Sequence, residues 1–289
     1  MGSLFGGLLS QKHNVILIGR TPHINKIKQK GLTIKGKTQL NLKISAETSV
    51  EKIKYPTDLI ILTVKSYDTE QSIKQAKKLI GRDTLVLSLQ NGLDNIEKIK
   101  KHVNYQKIIL GVTTHGALFL SPGVIEHTGI GDTFIGELTG KKRNRITKII
   151  EIFNQAGIKT TFSSDILKEI WIKAIINSSI NPLTTIFQCK NDYLLKNLIL
   201  KNIVEKICTE STNAANTQGY DLSHKKTLDK TIDVIRKTSN NYSSMLQSYQ
   251  QGKKTEIESI NGKLVDIGKK HDIDMLVNEV LYHFIKDIG

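Results

Sequence analysis

The pattern of apolar residues changes character near the middle of the chain. Up to about residue 137, short strand-like runs such as NVILIG, TDLIILTV and TLVLSL alternate with amphipathic helical stretches such as EQSIKQAKKLIG. From about residue 143 the strand signals end and long helical patterns follow. Alternation of strands and helices is typical of a largely parallel sheet covered by helices. The sequence therefore predicts an α/β domain at residues 1–160 and an all-α domain at residues 161–289. We expect a ligand cleft between them.

The chain is strongly basic, with 42 Lys and Arg residues against 27 Asp and Glu residues and a net charge of +15. Such a charge is one mark of nucleic-acid binding. The lysines, however, are spread along the predicted helices and are not interleaved with aromatic residues, and no helix-turn-helix, zinc-finger or RNA-binding sheet motif is present. We therefore expect no nucleic-acid partner. A positive field would instead help to capture anionic small molecules.

The sequence also argues against metal, disulfide and membrane chemistry. The two cysteines, Cys189 and Cys208, have neither metal-type spacing nor a disulfide framework. No apolar run reaches the ~18–20 residues that a membrane-spanning helix needs. The N-terminal residues do not follow the pattern of a secretory signal peptide. We therefore predict no metal site, no membrane partner and a cytoplasmic location.

The first residues predict a helix directly before a strand. Four apolar residues share one helical face, namely Leu4, Phe5, Leu8 and Leu9, and NVILIG follows. This order matches the second half of a nucleotide-binding βαβ unit, whose G-x-G-x-x-G turn places pyrophosphate on a helix N-terminus. Gly2 would be its last glycine. The simpler alternative is an ordinary helix N-terminus.

Polar residues follow several of the predicted strands. Arg20 ends the second strand of the expected unit, where Asp or Glu usually binds the ribose hydroxyl of NAD, so that an arginine favours the 2′-phosphate of NADP. Lys65 follows TDLIILTV, Asn91 and Gly92 follow TLVLSL, and Ala117 follows KIILGVT. A surface arginine and a plain Asn-Gly turn are the simpler interpretations. Their shared location at strand ends favours a cofactor site.

The helical half contains a polar stripe in an apolar helix. Lys173, Asn177 and Asn181 are spaced i, i+4 and i+8 in EIWIKAIINSSINPLTTIF, which places them on one helical face. Burying such groups is costly without partners, so they indicate either a site or a solvated face. Pro182 is expected to distort or end this helix. Further on, Ser244 and Glu256 lie in SSMLQSYQQGKKTEIESINGKL.

Three of these segments together resemble the ketopantoate reductase (2-dehydropantoate 2-reductase) family. They are the lysine–asparagine helix ending in NPLT, the SMLQ…TEIESINGKL block and the QNG turn, and the resemblance runs from residue 1 to about residue 270. It implies a Rossmann-type domain followed by a helical domain like that of 6-phosphogluconate dehydrogenase. It also implies a homodimer and NADPH-dependent reduction of 2-dehydropantoate to (R)-pantoate, on the route to pantothenate and coenzyme A.

The resemblance assigns roles to residues at matching positions. It makes Lys173 the proton donor, with Glu256 placed to orient it. The implied substrate-binding residues are Asn91, Asn177, Asn181, Asn191 and Ser244. The implied cofactor-binding residues are Gly2, Arg20, Lys65, Asn91, Ala117 and Glu256. An ammonium group suits this reaction because it stabilises the negative charge that develops on the keto oxygen and then supplies a proton.

The chain departs from the family pattern at its beginning. Family members start with a strand and a G-x-G-x-M-G loop, and Met1 coincides with the methionine of that loop. We therefore expect about ten residues, a strand and most of the phosphate loop, to be missing, as a start assigned at an internal methionine would produce. Two alternatives remain open. One is a truncated paralogue with impaired cofactor binding and a non-catalytic binding role. The other is a reductase of another branched 2-keto acid.

Overall fold

The computed structural model describes residues 1–288, which form two compact units. The first comprises Met1–Gln90 and Ile96–Leu167, and the second comprises Asn91–Asn95 and the chain from Lys168 onward. The first is an α/β unit and the second is helical, which confirms the predicted fold class. The predicted domain boundary at residue 160 lies at the start of a strand, whereas the units divide after Leu167.

The first unit contains eleven strands and five α-helices in an order that begins helix, strand, helix. The strands are β1 (Ile16–Ile18), β2 (Leu32–Gly36), β3 (Leu40–Leu42), β4 (Ser45–Glu47), β5 (Leu59–Leu62), β6 (Leu85–Ser88), β7 (Ile108–Thr113), β8 (Gly116–Ser121), β9 (Val124–Gly129), β10 (Thr133–Glu137) and β11 (Thr160–Phe162). The helices are α1 (Gly2–Leu9), α2 (Thr21–Lys30), α3 (Thr69–Ala76), α4 (Asn95–Lys100) and α5 (Asn144–Gln155).

The strands form three hydrogen-bonded sheets. The five-stranded sheet has the order β11-β10-β7-β6-β5, in which β5, β6 and β7 are parallel. A parallel pair joins β1 to β4, and a four-stranded sheet has the order β3-β2-β9-β8. Among the described residues, β1 and β5 therefore each have one hydrogen-bonded neighbour. The parallel arrangement brings the carboxyl ends of β5 and β6 to the same edge of their sheet.

Helix α1 supplies the centre of the first unit's core. Leu4 and Phe5 are almost completely buried, and the Phe5 ring packs edge-on against Phe153 of α5 at a centroid distance of 5.9 Å. A Cβ atom at Gly7 would stand 2.9 Å from Cδ1 of Ile34, so that glycine lets α1 approach the four-stranded sheet closely. The predicted N-terminal helix and its buried apolar face are therefore confirmed.

The second unit is built around one long helix. Its helices are α6 (Ile166–Ile186), α7 (Tyr193–Lys196), α8 (Leu198–Thr217), α9 (His224–Lys237), α10 (Ser244–Gln250), α11 (Lys263–Lys270) and α12 (Leu276–Ile288). One turn of π-helix, Glu258–Gly262, precedes α11. Pro182 lies inside α6, which continues to Ile186 instead of ending there.

The described residues, 1–288, contain neither a membrane-spanning helix nor a metal-binding cluster. None of the described helices combines the length and the apolar character that crossing a membrane requires. The same residues contain no cluster of three or more His, Cys, Asp or Glu side chains arranged to hold a metal ion.

Candidate active site

The polar stripe of the second unit lies along α6, as its spacing requires. Asn181 is only 5% exposed, whereas Lys173 and Asn177 are partly exposed. The apolar residues between them, including Ile175 and Ile180, are buried in the helical core. The stripe is therefore the border between that core and an accessible surface. The alternative interpretation of these residues, a fully solvated helix face, is therefore wrong for Asn181, which is buried.

The two asparagines of the stripe keep their side-chain amides available. Among the described residues, the carboxamides of Asn177 and Asn181 have no hydrogen-bond partner, although the Asn181 main-chain carbonyl accepts from the hydroxyls of Thr184 and Thr185. A carboxamide has an NH2 group that donates two hydrogen bonds and a carbonyl oxygen that accepts them. Such a pair can hold a carboxylate or a hydroxyl of a small ligand without adding a charge.

Lys173 is electrostatically coupled to Glu256. Burial lowers the pKa of the Lys173 ammonium from 10.5 to about 8, and the charge of Glu256 opposes part of that shift. Glu256 is itself only 6% exposed. A lysine with such a pKa is mostly protonated at neutral pH and gives up its proton more readily than an ordinary lysine. Lys173 therefore has the protonation behaviour that a general acid needs, and the charge of Glu256 favours its protonated form.

The chain after Glu256 is tied directly to α6. A proline has no N–H, so Pro182 leaves the carbonyl of Ser178, four residues earlier, without its helical hydrogen bond. The side chain of Asn261 donates from Nδ2 to that carbonyl at 3.3 Å. Asn261 belongs to the π-helical turn five residues after Glu256. The proline and the asparagine together therefore fix where this turn meets α6.

A buried polar network holds Asn261 in turn. Its Nδ2 also donates to Oδ1 of Asn278 at 3.0 Å. Asn278 donates from Nδ2 to Oε2 of Glu210 at 2.8 Å, and the same carboxylate accepts the main-chain N–H groups of Val277 and Asn278 at the start of α12. Both asparagines are completely buried. The network links α6, the π-helical turn, α8 and α12.

The Asn91–Gly92 turn packs onto the same π-helical turn. Gly92 has φ +100°, and a Cβ atom there would stand 2.8 Å from Cβ of Ser259. Leu93 donates its N–H to the Ser259 carbonyl at 2.9 Å. The main-chain carbonyl of Asn91 accepts from Nδ2 of Asn95 at 2.7 Å, while its side chain is partly exposed. The structure therefore brings the predicted residue Asn91 to the segment that follows Glu256.

The start of α10 is joined to α6 beside Asn181. Ser243 caps α10 by accepting the N–H of Leu246 at 3.2 Å, and its hydroxyl also accepts from Oγ1 of Thr184 at 2.7 Å. Ser244, the next residue, is exposed. Ser243 therefore has the structural role, and Ser244 is left accessible for a ligand.

Asn191 has a different environment. Its Nδ2 donates to Oγ1 of Thr238 at 2.8 Å, and its N–H donates to the carbonyl of Asn241 at 3.1 Å. Its Oδ1 is buried and has no partner among the described residues. Asn191 therefore joins the connection after α6 to the connection after α9. Its substrate-binding role stays a prediction.

In the first unit, the first turn of α1 fits a phosphate group. Met1 makes no side-chain capping bond and the turn has no acidic residue, so the helix dipole and its first N–H groups favour an anion. A Cβ atom at Gly2 would stand 2.6 Å from Oγ1 of Thr63, so glycine keeps the chain close to the end of β5. The pyrophosphate of a dinucleotide suits this arrangement.

Two cations lie at the ends of β1 and β5. Burial, and then the charge of Lys65, lower the pKa of the Met1 amino group to about 6, so the Lys65 charge acts at the start of α1. Arg20 is the N-cap residue of α2 and forms an ion pair with Asp68, at 3.2 Å between Nη2 and Oδ2. Ala117 lies in β8 of the four-stranded sheet and is partly buried.

The sequence analysis did not identify three residues that contact the candidate site residues or their supporting segments, namely Asp68, Asn261 and Asn278. Asp68 follows Lys65 by three positions in KSYDT, but nothing in that spacing indicates a partner 48 residues earlier. Asn261 and Asn278 are polar residues at apolar helical positions, the same signal that singled out Asn177 and Asn181. Applied along the whole chain, that signal finds Asn261 and Asn278 as well.

Comparisons with known proteins identify the family of this chain. Residues 1–140 match the family model described as ketopantoate reductase PanE/ApbA, and residues 165–289 match its C-terminal model. The chain is 40% identical to the 2-dehydropantoate 2-reductase of Pyrococcus abyssi over 287 residues, 99% of this chain and 94% of that protein. It is 41% identical to the 2-dehydropantoate 2-reductase of Pyrococcus horikoshii, over 99% of this chain and 93% of that protein.

Solved structures show the same fold. D-mandelate dehydrogenase in a ternary structure with NADH and anilino(oxo)acetate superposes with a TM-score of 0.94, at 28% identity, over 100% of this chain and 95% of that chain. The PanE/ApbA family ketopantoate reductase from Ralstonia eutropha JMP134 superposes with a TM-score of 0.90, at 26% identity, over 98% of this chain and 93% of that chain. The two family models together cover most of the chain, which therefore belongs to the PanE/ApbA ketopantoate reductase family.

Proposed function

We propose that this chain reduces 2-dehydropantoate to (R)-pantoate with NADPH, a step on the route to pantothenate and coenzyme A. The observation that carries the proposal is the α6 stripe, in which a lysine with a lowered pKa is followed by two available carboxamides, one turn and two turns further along the helix. The named relatives from the two Pyrococcus species support the substrate. The proposal includes a homodimer, as the family resemblance implies, and a cytoplasmic location, as the cysteine usage indicates.

The residues of α6 account for the chemistry of the keto acid. The dinucleotide, when bound, supplies the hydride that reduces the keto carbon. The Lys173 ammonium stabilises the negative charge that develops on the keto oxygen and transfers its proton to that oxygen. Asn177 and Asn181, with Ser244, bind the carboxylate and hydroxyl of the substrate through neutral donors. Glu256 keeps the lysine oriented and mostly protonated.

The residues of the first unit account for the dinucleotide. Gly2 and the first turn of α1 would hold the pyrophosphate, with Lys65 beside them. Arg20 would bind the 2′-phosphate that distinguishes NADPH from NADH, because a guanidinium pairs with phosphate through two parallel hydrogen bonds. Asn91, Asn191 and Ala117 complete the proposed set of site residues.

The cofactor part of the proposal is tested by Arg20→Ala. Loss of the guanidinium should weaken NADPH by about tenfold or more and leave NADH within about twofold, since only NADPH carries the group that Arg20 binds. Dissociation constants from nucleotide fluorescence, without keto acid, measure this directly. Equal losses for both nucleotides would remove Arg20 from its assigned role.

A second candidate is a reductase of another 2-keto acid, favoured by the likeness to D-mandelate dehydrogenase. The experiment that separates the two compares kcat/KM for 2-dehydropantoate, phenylglyoxylate and 2-oxoisovalerate. Ketopantoate reduction predicts that 2-dehydropantoate is preferred by at least about a hundredfold, because the site then pairs with its terminal hydroxyl. A preference for either of the other acids would replace the proposed substrate.

A further inference from the structure

Arg20 and Asp68 pair with each other across the first unit. Nη2 of Arg20 and Oδ2 of Asp68 are 3.2 Å apart, and the side chains are 73% and 36% exposed. Among the described residues, neither side chain has another ion-pair or hydrogen-bond partner. Arg20 follows β1 and Asp68 follows β5, so the pair joins the ends of two strands. The guanidinium of Arg20, which we propose binds the 2′-phosphate, is therefore already paired with the carboxylate of Asp68.

The two nicotinamide dinucleotides respond in opposite ways to that carboxylate. The 2′-phosphate of NADPH carries about two negative charges. It competes with Asp68 for the guanidinium of Arg20, and the negative charge of Asp68 repels it. The 2′-hydroxyl of NADH can instead donate a hydrogen bond to a carboxylate. Asp68 therefore penalises NADPH and assists NADH, at a site where Arg20 favours NADPH.

We propose that Asp68 is a specificity-determining residue that sets the balance between NADH and NADPH in this reductase, by holding Arg20 and facing the 2′ position of the bound adenosine. The assignment rests on the proposed function, because it assumes the dinucleotide role of Arg20. It predicts an enzyme that uses both cofactors, with a preference that a single substitution moves.

Other acidic residues of the first unit do not compete for this role. Glu47 ends β4 and is paired with Lys28 and Lys52. Glu70, two residues after Asp68, is paired with Lys101 at 3.1 Å. Glu47 is therefore neutralised by two lysines and Glu70 by one. Only Asp68 is paired with the arginine proposed for the 2′-phosphate.

Asp68 can be replaced without disturbing the local fold. It is the N-cap residue of α3, yet its side chain makes no capping hydrogen bond. Asp68→Asn keeps the size of the side chain and removes only its charge. Glu70→Gln is the matched control, because it removes a paired carboxylate from the same helix start without touching Arg20.

The test measures dissociation constants for NADH and NADPH, and for AMP and adenosine 2′,5′-bisphosphate, by calorimetry without keto acid. Asp68→Asn should raise the ratio of the NADH constant to the NADPH constant about fivefold to tenfold, the effect expected for one charge at contact distance in solvent. The bisphosphate and AMP should show the same change, and it should shrink at high salt. Glu70→Gln should leave both ratios unchanged.

The outcomes separate this assignment from the proposed function. Unchanged ratios in Asp68→Asn, in a protein that still binds both dinucleotides and reduces 2-dehydropantoate, would overturn the role of Asp68 alone. An equal change in Glu70→Gln would also overturn it, since the effect would then be one of general surface charge. Failure of the unsubstituted protein to bind either dinucleotide would overturn the proposed function and this assignment with it.

Discussion

Asn261 donates its side-chain amide to the Ser178 carbonyl, which Pro182 deprives of its helical partner. The proline therefore does more than interrupt α6. It exposes an acceptor on a buried face of the helix, and the asparagine of the π-helical turn occupies it. Because Glu256 precedes that turn and Asn181 precedes the proline, this contact ties together the segments that carry the two parts of the proposed site.

Loss of this contact should destabilise the second unit. Asn261→Ala leaves the buried Ser178 carbonyl unpaired and should lower the free energy of unfolding by about 1–3 kcal/mol. Urea denaturation measures the change. In a Pro182→Ala background the new N–H can bond Ser178, so the same substitution should cost less. Equal costs in the two backgrounds would show that Asn261 does not substitute for the missing N–H.

The QNG turn should tolerate only glycine at its third position, Gly92. Gly92→Ala combines a positive φ with a Cβ atom pressed against Ser259, and we expect it to lower the free energy of unfolding by about 2–4 kcal/mol. Gly219→Ala is the matched control, since Gly219 has φ +86° but nothing within 4 Å of an added Cβ. It should cost only about 1 kcal/mol. Similar losses at both positions would assign the effect to backbone strain alone.

Two buried histidines should make the first unit sensitive to acid. Nδ1 of His115 lies 3.0 Å from Nε2 of His127, whose Nδ1 contacts Oγ1 of Thr38. Burial lowers the pKa of both rings below 6.5, and for His115 the His127 charge lowers it further while Asp132 opposes the shift. As the pH falls below 6.5 the unfolded chain binds these protons first, so stability should decrease from that pH down to the folded pKa values.

The measurement is the free energy of unfolding between about pH 7.5 and pH 5. His115→Phe with His127→Leu should flatten this pH dependence, whatever its effect on stability at neutral pH. His224→Gln replaces an exposed histidine and serves as the control. An acid limb of unchanged slope in the double variant would assign the sensitivity to other groups.

Local patterns were enough to predict the elements that carry the proposed site. The i, i+4, i+8 spacing located the α6 stripe, and the apolar face of α1 located the N-terminal helix, because both depend on one helical period. The hairpin of β8 and β9 was not predicted, since its outer strand exposes Phe119 and Leu120 and lacks a simple alternation. Its Pro-Gly turn was the one local sign of it.

Local sequence patterns could not predict the long-range contacts. The Arg20–Asp68 pair joins residues 48 positions apart, and the Asn261–Ser178 bond joins residues 83 positions apart. Each depends on how strands or helices assemble, which the sequence of either segment alone does not encode. The types of residue were visible in the sequence, but their partners were not.

The alkaline limb of the pH–rate profile should report Lys173. Since its pKa is about 8, the proton-donating form is lost as the pH rises through that value, and kcat should fall there. The Glu256 charge raises this pKa. Glu256→Gln should therefore move the limb to lower pH with the keto-acid KM little changed. A limb that does not move would show that Glu256 does not act on the proton donor.

The most direct test of the account is the turnover of Lys173→Ala with 2-dehydropantoate and NADPH, followed by NADPH absorbance. We expect kcat to fall by roughly 10²-fold or more while the circular dichroism spectrum and the NADPH dissociation constant stay unchanged. Lys196→Ala, which removes an exposed lysine paired with Asp192 in the same unit, should keep full turnover. Near-normal turnover in Lys173→Ala would contradict the assignment of Lys173 as the proton donor.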